Sequence, residues 1–475
     1  MKSELIQQIR CHFDTILAHG TVDSGPDPNP MWRASLDAAT GMYAPNVLPS
    51  PDIPPRVERY IHAPGGVTLY WDQPHLAAAH VLSTRTGTAR YADAADAYIR
   101  AFLDRAVSSC GLFLWGNHYF YDAERGEMVW FKSHTPPTEI GLHTITAYLH
   151  EMRPVAPAWD LFWRIDPALT RRSIEAIAEY HLLNPDTGQF SSHADRQPGQ
   201  DYLEVGGILV ETLAWLFART RERSLIHRAR QIAHYSYDQR DRLTDLMRLA
   251  STARTWEKRV STTEVGLWAG SLLRAADHVH QQQFVRLAAD SVATYLRFAW
   301  DADTQQYFGR LNVADGTPQR DEVEGSRSKL YQPGTYTDIW NTRFPAHDYA
   351  LALAEACASL YARTGRPEFL TAVQRWARLI QARTYEGRPR VVYAESFGRA
   401  IHFLLRAAEV TGENGYRVQA VDLADIAVGE LFTGRMFRGH TGEDRYEAVD
   451  GVGYLLLALL ELETGHPPDY LGFGF

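Results

Sequence analysis

A helical hairpin recurs along the 475-residue chain and constrains its fold more than any other feature. VLSTRTGTARYADAADAYIRAFL (81–103), LFARTRERSLIHRARQIAHYSY (216–237), LYARTGRPEFLTAVQRWARLI (360–380) and AAEVTGENGYRVQAVDLADIAV (407–428) each read helix, turn, helix. In each, a Gly or Arg is followed four residues later by an apolar or aromatic side chain: Gly87 to Tyr91, Arg221 to Leu225, Gly365 to Phe369, Gly412 to Tyr416. A residue just past a helix end takes the left-handed conformation that stops the helix. The later side chain then opens the next helix and packs back onto the hairpin. The spacing between units is irregular, which excludes a fixed-period solenoid. The expected fold is all-α, an (α/α) barrel or toroid with minor β elements, formed as one domain over 1–475. A loop-rich segment (20–65) full of Pro, Asp, Ser and Asn follows the opening helix. GVTLYW (66–71) reads as a short strand, and EMVWF (127–131) closes a small hairpin after the turn sequence DAERG. PRVVYAES (389–396) reads as a strand or loop between helices.

The formal net charge of −9 argues against a nucleic-acid partner, which would require a basic face. It leaves room for an acidic substrate in a local cationic pocket. The three cysteines, Cys11, Cys110 and Cys357, are too scattered for a disulfide framework or a thiolate metal site. In the N-terminal MKSELIQQIRCHFDTILAHG, Leu5, Ile6, Ile9, Phe13, Ile16 and Leu17 fall at helical spacing, with no unbroken apolar run of a leader. No stretch has the apolar length of a membrane span. The expectation is a cytoplasmic protein with no membrane partner. The 12 Trp, 24 Tyr and 19 Phe supply both core and flat platforms for sugar faces.

Several stretches carry chemistry-bearing residues. SSCGLFLWGNHYFYDAERGEMVWF (108–131) sets His118 among Trp115, Tyr119 and Tyr121, where a hydrogen-bonded core histidine is the plain reading. His150 and Glu151 precede the aromatic WDLFW. His193 lies in the polar QFSSHAD (189–195), which alone reads as a solvated loop. Two imidazoles and a carboxylate would suit a divalent first-row metal with open positions. With 19 histidines in the chain, spacing alone leaves this one combination among many. Carboxylates cluster at Asp201 and Glu204, at Asp338, and at Glu447 and Asp450. Such groups cap helices, or serve as the acid and base of a glycosidase. GSRSKLYQPGTYTDIWNTRFPAH (325–347) reads as a loop over a barrel mouth, with Tyr331, Tyr336 and Trp340 facing sugar.

A family resemblance orders these candidates. GLFLWGNHYFYDAERG, HEMRPVAPAWDLFWRIDPALTRRSIEAI and HLLNPDTGQFSSHAD are similar to segments of polysaccharide lyase family 2, the pectate lyases that cut polygalacturonate by β-elimination. In the last segment the two histidines are twelve residues apart, as in that family. The ends, SELIQQIRCHFDTILAHG and YEAVDGVGYLLLALLELETG, also resemble those lyases. The resemblance implies an (α/α) barrel with a divalent metal, Mn2+ by preference, on His118, Glu151 and His193. It also places the family's arginine base at Ser192, where this chain has no base. Arg196, Arg254, Arg259, Tyr119, Tyr121 and Tyr202 are the candidates to take over that role, the phenols only if a neighbouring cation lowers their pKa. Trp115, Arg153, Trp256, Tyr336, Trp340 and Tyr446 are candidates for binding substrate. The activity implied is metal-dependent elimination across a glycosidic bond of a uronate-containing oligosaccharide. A metal-independent glycoside hydrolase with paired carboxylates is the alternative, and a non-catalytic oligosaccharide-binding protein is a further one.

Overall fold

The structure is a computed structural model that describes residues 2–22, 29–43, 66–116, 119–123, 126–130, 141–142, 150–251, 258–319, 336–340, 349–386 and 391–466. His118, Arg254, Trp256, Tyr331 and much of the loop-rich segment lie outside the described residues. Fourteen α-helices alternate among those described: α1 (Lys2–Thr15), α2 (Leu69–Thr86), α3 (Arg90–Arg105), α4 (Trp159–Ile165), α5 (Pro167–His181), α6 (Leu203–Thr220), α7 (Arg223–Asp238), α8 (Thr262–Val279), α9 (Gln282–Ala299), α10 (Leu351–Thr364), α11 (Pro367–Glu386), α12 (Ala394–Thr411), α13 (Asn414–Leu431) and α14 (Val452–Thr464). Even-numbered helices form an inner ring and odd-numbered helices an outer one. In the inner ring α6 packs on α8, α8 on α10, α10 on α12, α12 on α14 and α14 on α2. The ring is completed through α4, whose Trp159 donates from Nε1 to Thr212 of α6 at 3.1 Å. Gln73 of α2 holds the chain leading into α4, bonding Ala156 O and Ala158 N at 2.9 Å each. This is the (α/α) barrel that the hairpin units predict.

Burial separates the two rings. Inner helices are buried over most of their length, α14 almost throughout (VGYLLLALLELE). Outer helices bury one stripe, as Leu225, Ile226, Ala229, Ile232 and Ala233 do on α7. Each inner helix runs into its outer partner through a very short turn. The stopping residues Gly87, Arg221, His280, Gly365 and Gly412 all have φ between 55° and 73°. The four hairpins read from sequence therefore have the predicted geometry. Connections in the other direction, from outer to inner helix, are long, and they lead into the barrel at the end where the inner helices begin.

Neighbouring inner helices touch backbone to backbone at glycine. A Cβ on Gly266 of α8 would lie 2.2 Å from Leu353 N and 2.3 Å from Ala352 C on α10. One on Gly398 of α12 would lie 2.5 Å from Leu455 N on α14. Gly207 and Gly453 meet Trp268 and His75 in the same way. Lower in the ring, ion pairs link successive inner helices, Glu211 with Arg274 (2.8 Å), Asp277 with Arg363 (2.6 Å) and Glu463 with Arg85 (3.2 Å), and a hydrogen bond joins His402 to Glu461 (2.6 Å). Asp160 pairs with Arg219 likewise.

The β elements are small. β5 (Tyr119–Asp122) and β6 (Glu127–Trp130) form the expected hairpin, flanked by β4 (Gly66–Val67) and β7 (Gly141–Leu142). In GVTLYW only the first two residues are strand. Thr68 accepts from Tyr70 N and caps α2, so Leu69, Tyr70 and Trp71 are helical. In PRVVYAES, Tyr393 bridges His440 and the helix starts at Ala394. Among the described residues no helix is long and apolar enough to cross a membrane.

The opening helix is held by buried histidines. His12 Nδ1 accepts from Phe437 N at 3.1 Å, so Nε2 carries its proton and donates to His75 Nε2 at 2.8 Å. His75 must then donate from Nδ1 to Tyr446 Oη at 2.9 Å. The network works only with both rings neutral. Burial pushes His75 down to about 3, and burial plus the neighbouring ring pushes His12 well below the usual histidine range.

Two outcomes are expected. Gly266→Ala and Gly398→Ala should lose about 1–3 kcal/mol to overpacking despite the better helix propensity. Gly429→Ala, at a helical site with no atom within 4 Å of the new carbon, should be neutral or stabilising; equal effects on urea midpoints would refute the close-packed ring. Because the folded pKa values of His12 and His75 lie below the unfolded one, their contribution is complete above about pH 6.5 and falls as pH drops towards the folded values. The slope should reach about 1.4 kcal/mol per pH unit for each histidine. Stability that stays flat between about pH 6.5 and 5 would contradict this.

Candidate functional site

The site is assembled by three short backbone segments at the long-segment end of the barrel. Trp115 O accepts from Glu151 N (3.1 Å), Ser192 O from Met152 N (2.7 Å) and His150 O from Ala194 N (3.2 Å). Extended backbone sends successive side chains to opposite faces. His150, Met152, Ser192 and Ala194 therefore enter the core, and Glu151 and His193 share the other face as directly opposed partners. His193 Nε2 lies 3.0 Å from Glu151 Oε1, with 25% of the His193 side chain exposed against 1% for Glu151. QFSSHAD is thus not a solvated loop. Phe190, Ser191 and Ser192 are fully buried, with β9 (Gln189–Phe190) paired to β8 (Leu182–Asn184).

Behind this mat, His181 donates from Nδ1 to Ser191 O (2.8 Å) and so accepts at Nε2 from His150 Nδ1 (2.9 Å). Both rings are neutral: burial lowers His181 to about 4, and burial with the His181 ring lowers His150. Gly116, at φ 120°, passes close to Glu151, where a Cβ would sit 3.2 Å from Glu151 Cβ.

Arg153 pairs with the same Glu151 oxygen, near Tyr70 and Tyr202. Beyond it, in the first turn of α6, Glu204 is 4% exposed, and its Oε2 has no hydrogen-bond partner among the described residues. Burial first, then the charge of Glu264, holds its carboxyl well above the usual carboxylate range, against the opposing pull of Arg153 and Arg259. Glu264 begins α8 in a capping box: Ser261 N donates to Glu264 Oε2 (2.5 Å), and Glu264 N to Ser261 Oγ (3.4 Å). Arg259 and Arg310 are buried on the paired strands β10 (Arg259–Ser261) and β13 (Arg310–Asn312).

Of the residues singled out from sequence, Glu151, His193, Arg153, Tyr119, Tyr202, Glu204 and Arg259 fall in this neighbourhood. Tyr119 is near Glu151 and Asp195; burial and those carboxylates raise its pKa. Burial also raises that of Tyr121, against Arg105. The lowering required for either phenol to act as a base is therefore the reverse of what the surroundings impose. Arg196, at φ 62°, donates to Leu182 O at 2.8 Å. Trp115 is fully buried against Tyr70 and Phe113. Trp340 is buried against Phe397, and Tyr446 in the His12–His75 network, so neither presents a face to solvent. Tyr336 donates to Asp301 Oδ2 (2.6 Å) and stacks on Phe308. Asp201 accepts from Tyr235 Oη (2.7 Å) and Ser251 N, and Glu447 pairs with Arg445 (2.6 Å). Glu264 and Arg310 escape the sequence reading. The repeated Glu-Val-Gly at 204–206 and 264–266 could have found the first, since both copies open an inner helix.

Glu151 and His193 offer a carboxylate and an imidazole to one point, a donor pair that fits a divalent first-row cation. Arg153 shares the carboxylate oxygen. Among the described residues no group of three or more metal-ligating side chains gathers; His118 is outside them.

Residues 72–240 match the family of periplasmic pectate lyases. The matched span contains Glu151, Arg153, His193 and Glu204 and ends before Glu264. The chain resembles that family distantly. No curated protein matches it. Among solved structures, a D-mannose isomerase is similar at TM-score 0.53 and 10% identity, covering 98% of each chain. An inactive variant of the GH76A alpha-1,6-mannanase of Salegentibacter sp. HEL1_6, in complex with alpha-1,6-mannotetrose, gives 0.49 and 8% identity over 98% of this chain and 100% of that one. A family 76 glycoside hydrolase (mannosidase) from Bacteroides thetaiotaomicron VPI-5482 gives 0.49 and 10%, over 97% and 100%. At 10% identity the likeness to the isomerase is one of fold alone.

Removing the cation beside a buried carboxylate is costly. Arg153→Met should destabilise the protein by about 3 kcal/mol, and adding Glu151→Gln should recover part of the loss. A double-mutant cycle by urea unfolding checks it; additive losses would show that the pair is not coupled.

Proposed function

We propose that the protein is a carbohydrate-active enzyme that cleaves a glycosidic bond of an oligosaccharide held at the barrel mouth. The observation that supports hydrolysis is Glu204: a buried carboxyl whose pKa is raised by burial and by Glu264, a second carboxylate on the next inner helix. Glycosidases need one protonated and one ionised carboxyl flanking the scissile bond. Glu204 would protonate the leaving oxygen, and Glu264 would act as base or nucleophile. Arg153 and Arg259, beside them, would orient an acidic sugar or stabilise developing negative charge.

A second reading, β-elimination on a uronate, is favoured by the pectate-lyase resemblance over 72–240 and the direct contact of Glu151 with His193. Those two residues would hold a divalent cation, Mn2+ by preference, whose chemistry there is Lewis-acid neutralisation of the substrate carboxylate. Ser192 cannot replace the arginine base, because its side chain is fully buried.

One assay separates the readings. Neutral and uronate-containing oligosaccharides are incubated with the protein, and reducing ends and ultraviolet absorbance of an unsaturated uronate are followed together. Reducing ends without absorbance support hydrolysis. Absorbance that is lost with chelator and restored by Mn2+ would replace hydrolysis with elimination, and tight binding without turnover would make the protein a binder. Glu204→Gln should cut hydrolysis by roughly 10²–10⁴-fold. Since Glu204 acts as acid only when protonated and its partner only when ionised, activity should follow a bell-shaped profile, with the alkaline limb falling as pH rises through the elevated pKa of Glu204. Full turnover in Glu204→Gln would sink the hydrolytic assignment.

A further inference from the structure

The outer wall of the barrel carries a cleft of about 700 Å³, between the end of α7, the outer face of α9 and the first half of α11. Four arginines line it: Arg240, Arg297, Arg366 and Arg375. Arg366 is engaged by Glu368 (2.6 Å) and, at 4.0 Å, by Asp290. The other three are held differently. The Arg240 guanidinium stacks 3.6 Å from the Tyr237 ring centroid, with Nε donating to Tyr237 O at 2.9 Å. Arg375 lies 4.2 Å from the Trp300 ring centroid, beside the Tyr307 hydroxyl. Arg297 is 5.5 Å from the Phe298 ring and reaches Thr244 O at 3.4 Å. None of these three forms an ion pair with a carboxylate among the described residues, although Asp245 also lines the cleft.

Tyr307 forms part of the lining and is fully buried. Its Oη, beside Arg375, has no hydrogen-bond partner of normal geometry among the described residues. Rings and backbone carbonyls fix the guanidiniums without neutralising them. A planar guanidinium fixed in this way presents paired N–H donors that match carboxylate or phosphate oxygens. The four arginines against Asp245, Asp290 and Glu368 leave the lining cationic on a chain whose net charge is −9. Thr294 and Thr371 add hydroxyl groups suited to sugar.

We propose that this cleft is a second binding site, separate from the barrel mouth, for a sugar ligand bearing carboxylate or phosphate groups. Arg240, Arg297 and Arg375 would grip the oxyanions, and the Tyr307 hydroxyl would donate to one of them. The sugar part rests on the glycan reading of the mouth; the oxyanion part does not.

The test titrates the full-length protein calorimetrically with trigalacturonate, a sugar phosphate and a neutral trisaccharide. Wild type is compared with Arg240→Gln/Arg375→Gln and with Arg240→Lys/Arg375→Lys. At least one anionic probe should bind wild type and weaken about tenfold or more in the Gln variant. The Lys variant should fall between, because it keeps the charge but loses the planar fork. The neutral sugar should not distinguish the three proteins. Preference for trigalacturonate or for the sugar phosphate identifies the oxyanion. Turnover at the mouth should be unchanged in both variants. Equal affinity in wild type and the Gln variant, or no binding of either anion to wild type, overturns the proposal. Anion binding at the cleft without turnover of any glycan would fail the mouth reading alone.

Discussion

The approach of one inner helix to the next sets everything else in the barrel. Helix backbones come into direct contact only where a side chain is missing, and Gly207, Gly266, Gly398 and Gly453 supply that absence at four joints of the ring. A cavity of even one methylene is costly in a close-packed interior, and so is an extra one. The inner helices are thus locked into a narrow cylinder near their N-termini. Farther down, where the helices carry larger side chains, the ion pairs from Glu211–Arg274 to Glu463–Arg85 take over the contact.

This geometry assigns different work to the two ends. At one end the chain turns from inner to outer helix in one to three residues, with no length to build anything but a cap. At the other end, segments of seven or more residues separate outer from inner helices, and chemistry is possible there. The carboxyl of Glu204 shows how the contest is decided at that end. A helix N-terminus and two arginines favour its ionised form. Burial and the neighbouring Glu264 outweigh them, and the net effect is a raised pKa. The close approach of α6 and α8 at Gly207 is what brings the two acidic first turns together.

The parts of this design that depend on local sequence were legible. A threonine and a glycine before an apolar side chain specify a helix stop and start within a few residues, and Gly87, Gly365 and Gly412 do so. What was misread depends on contacts across the chain. GVTLYW has strand composition, yet the Thr68 cap and the surrounding inner helices make Leu69–Trp71 helical. QFSSHAD has loop composition, but it is pinned to 150–152 by backbone bonds that no periodicity announces. For the phenols of Tyr119 and Tyr121 to act as bases, a cation must lie close enough to lower their pKa. Arg153 and Arg105 are indeed near, but burial is the larger effect and runs the other way. Trp340 and Tyr446 looked like sugar platforms because aromatic residues in polar segments resemble binding residues. Only the packed structure shows their faces covered.

Ser192 joins the resemblance to the geometry. In the extended segment 191–194, alternate side chains face opposite ways, and Ser192 faces the core while His193 faces Glu151. A long cation at Ser192 would have to leave that buried position or bury its charge. The small serine instead lets the segment lie flat against 150–152, with its amide on Gln200 O and its carbonyl on Met152 N, both at 2.7 Å. That packing fixes Glu151 and His193 and leaves no room for an arginine at the position where the resemblance puts the base. In the hydrolytic proposal the acid comes from a neighbouring element, Glu204 in the first turn of α6. The packing that sets His193 against Glu151 thus excludes a side chain of arginine's length at 192, and the acid of the proposed reaction lies instead at the start of an inner helix.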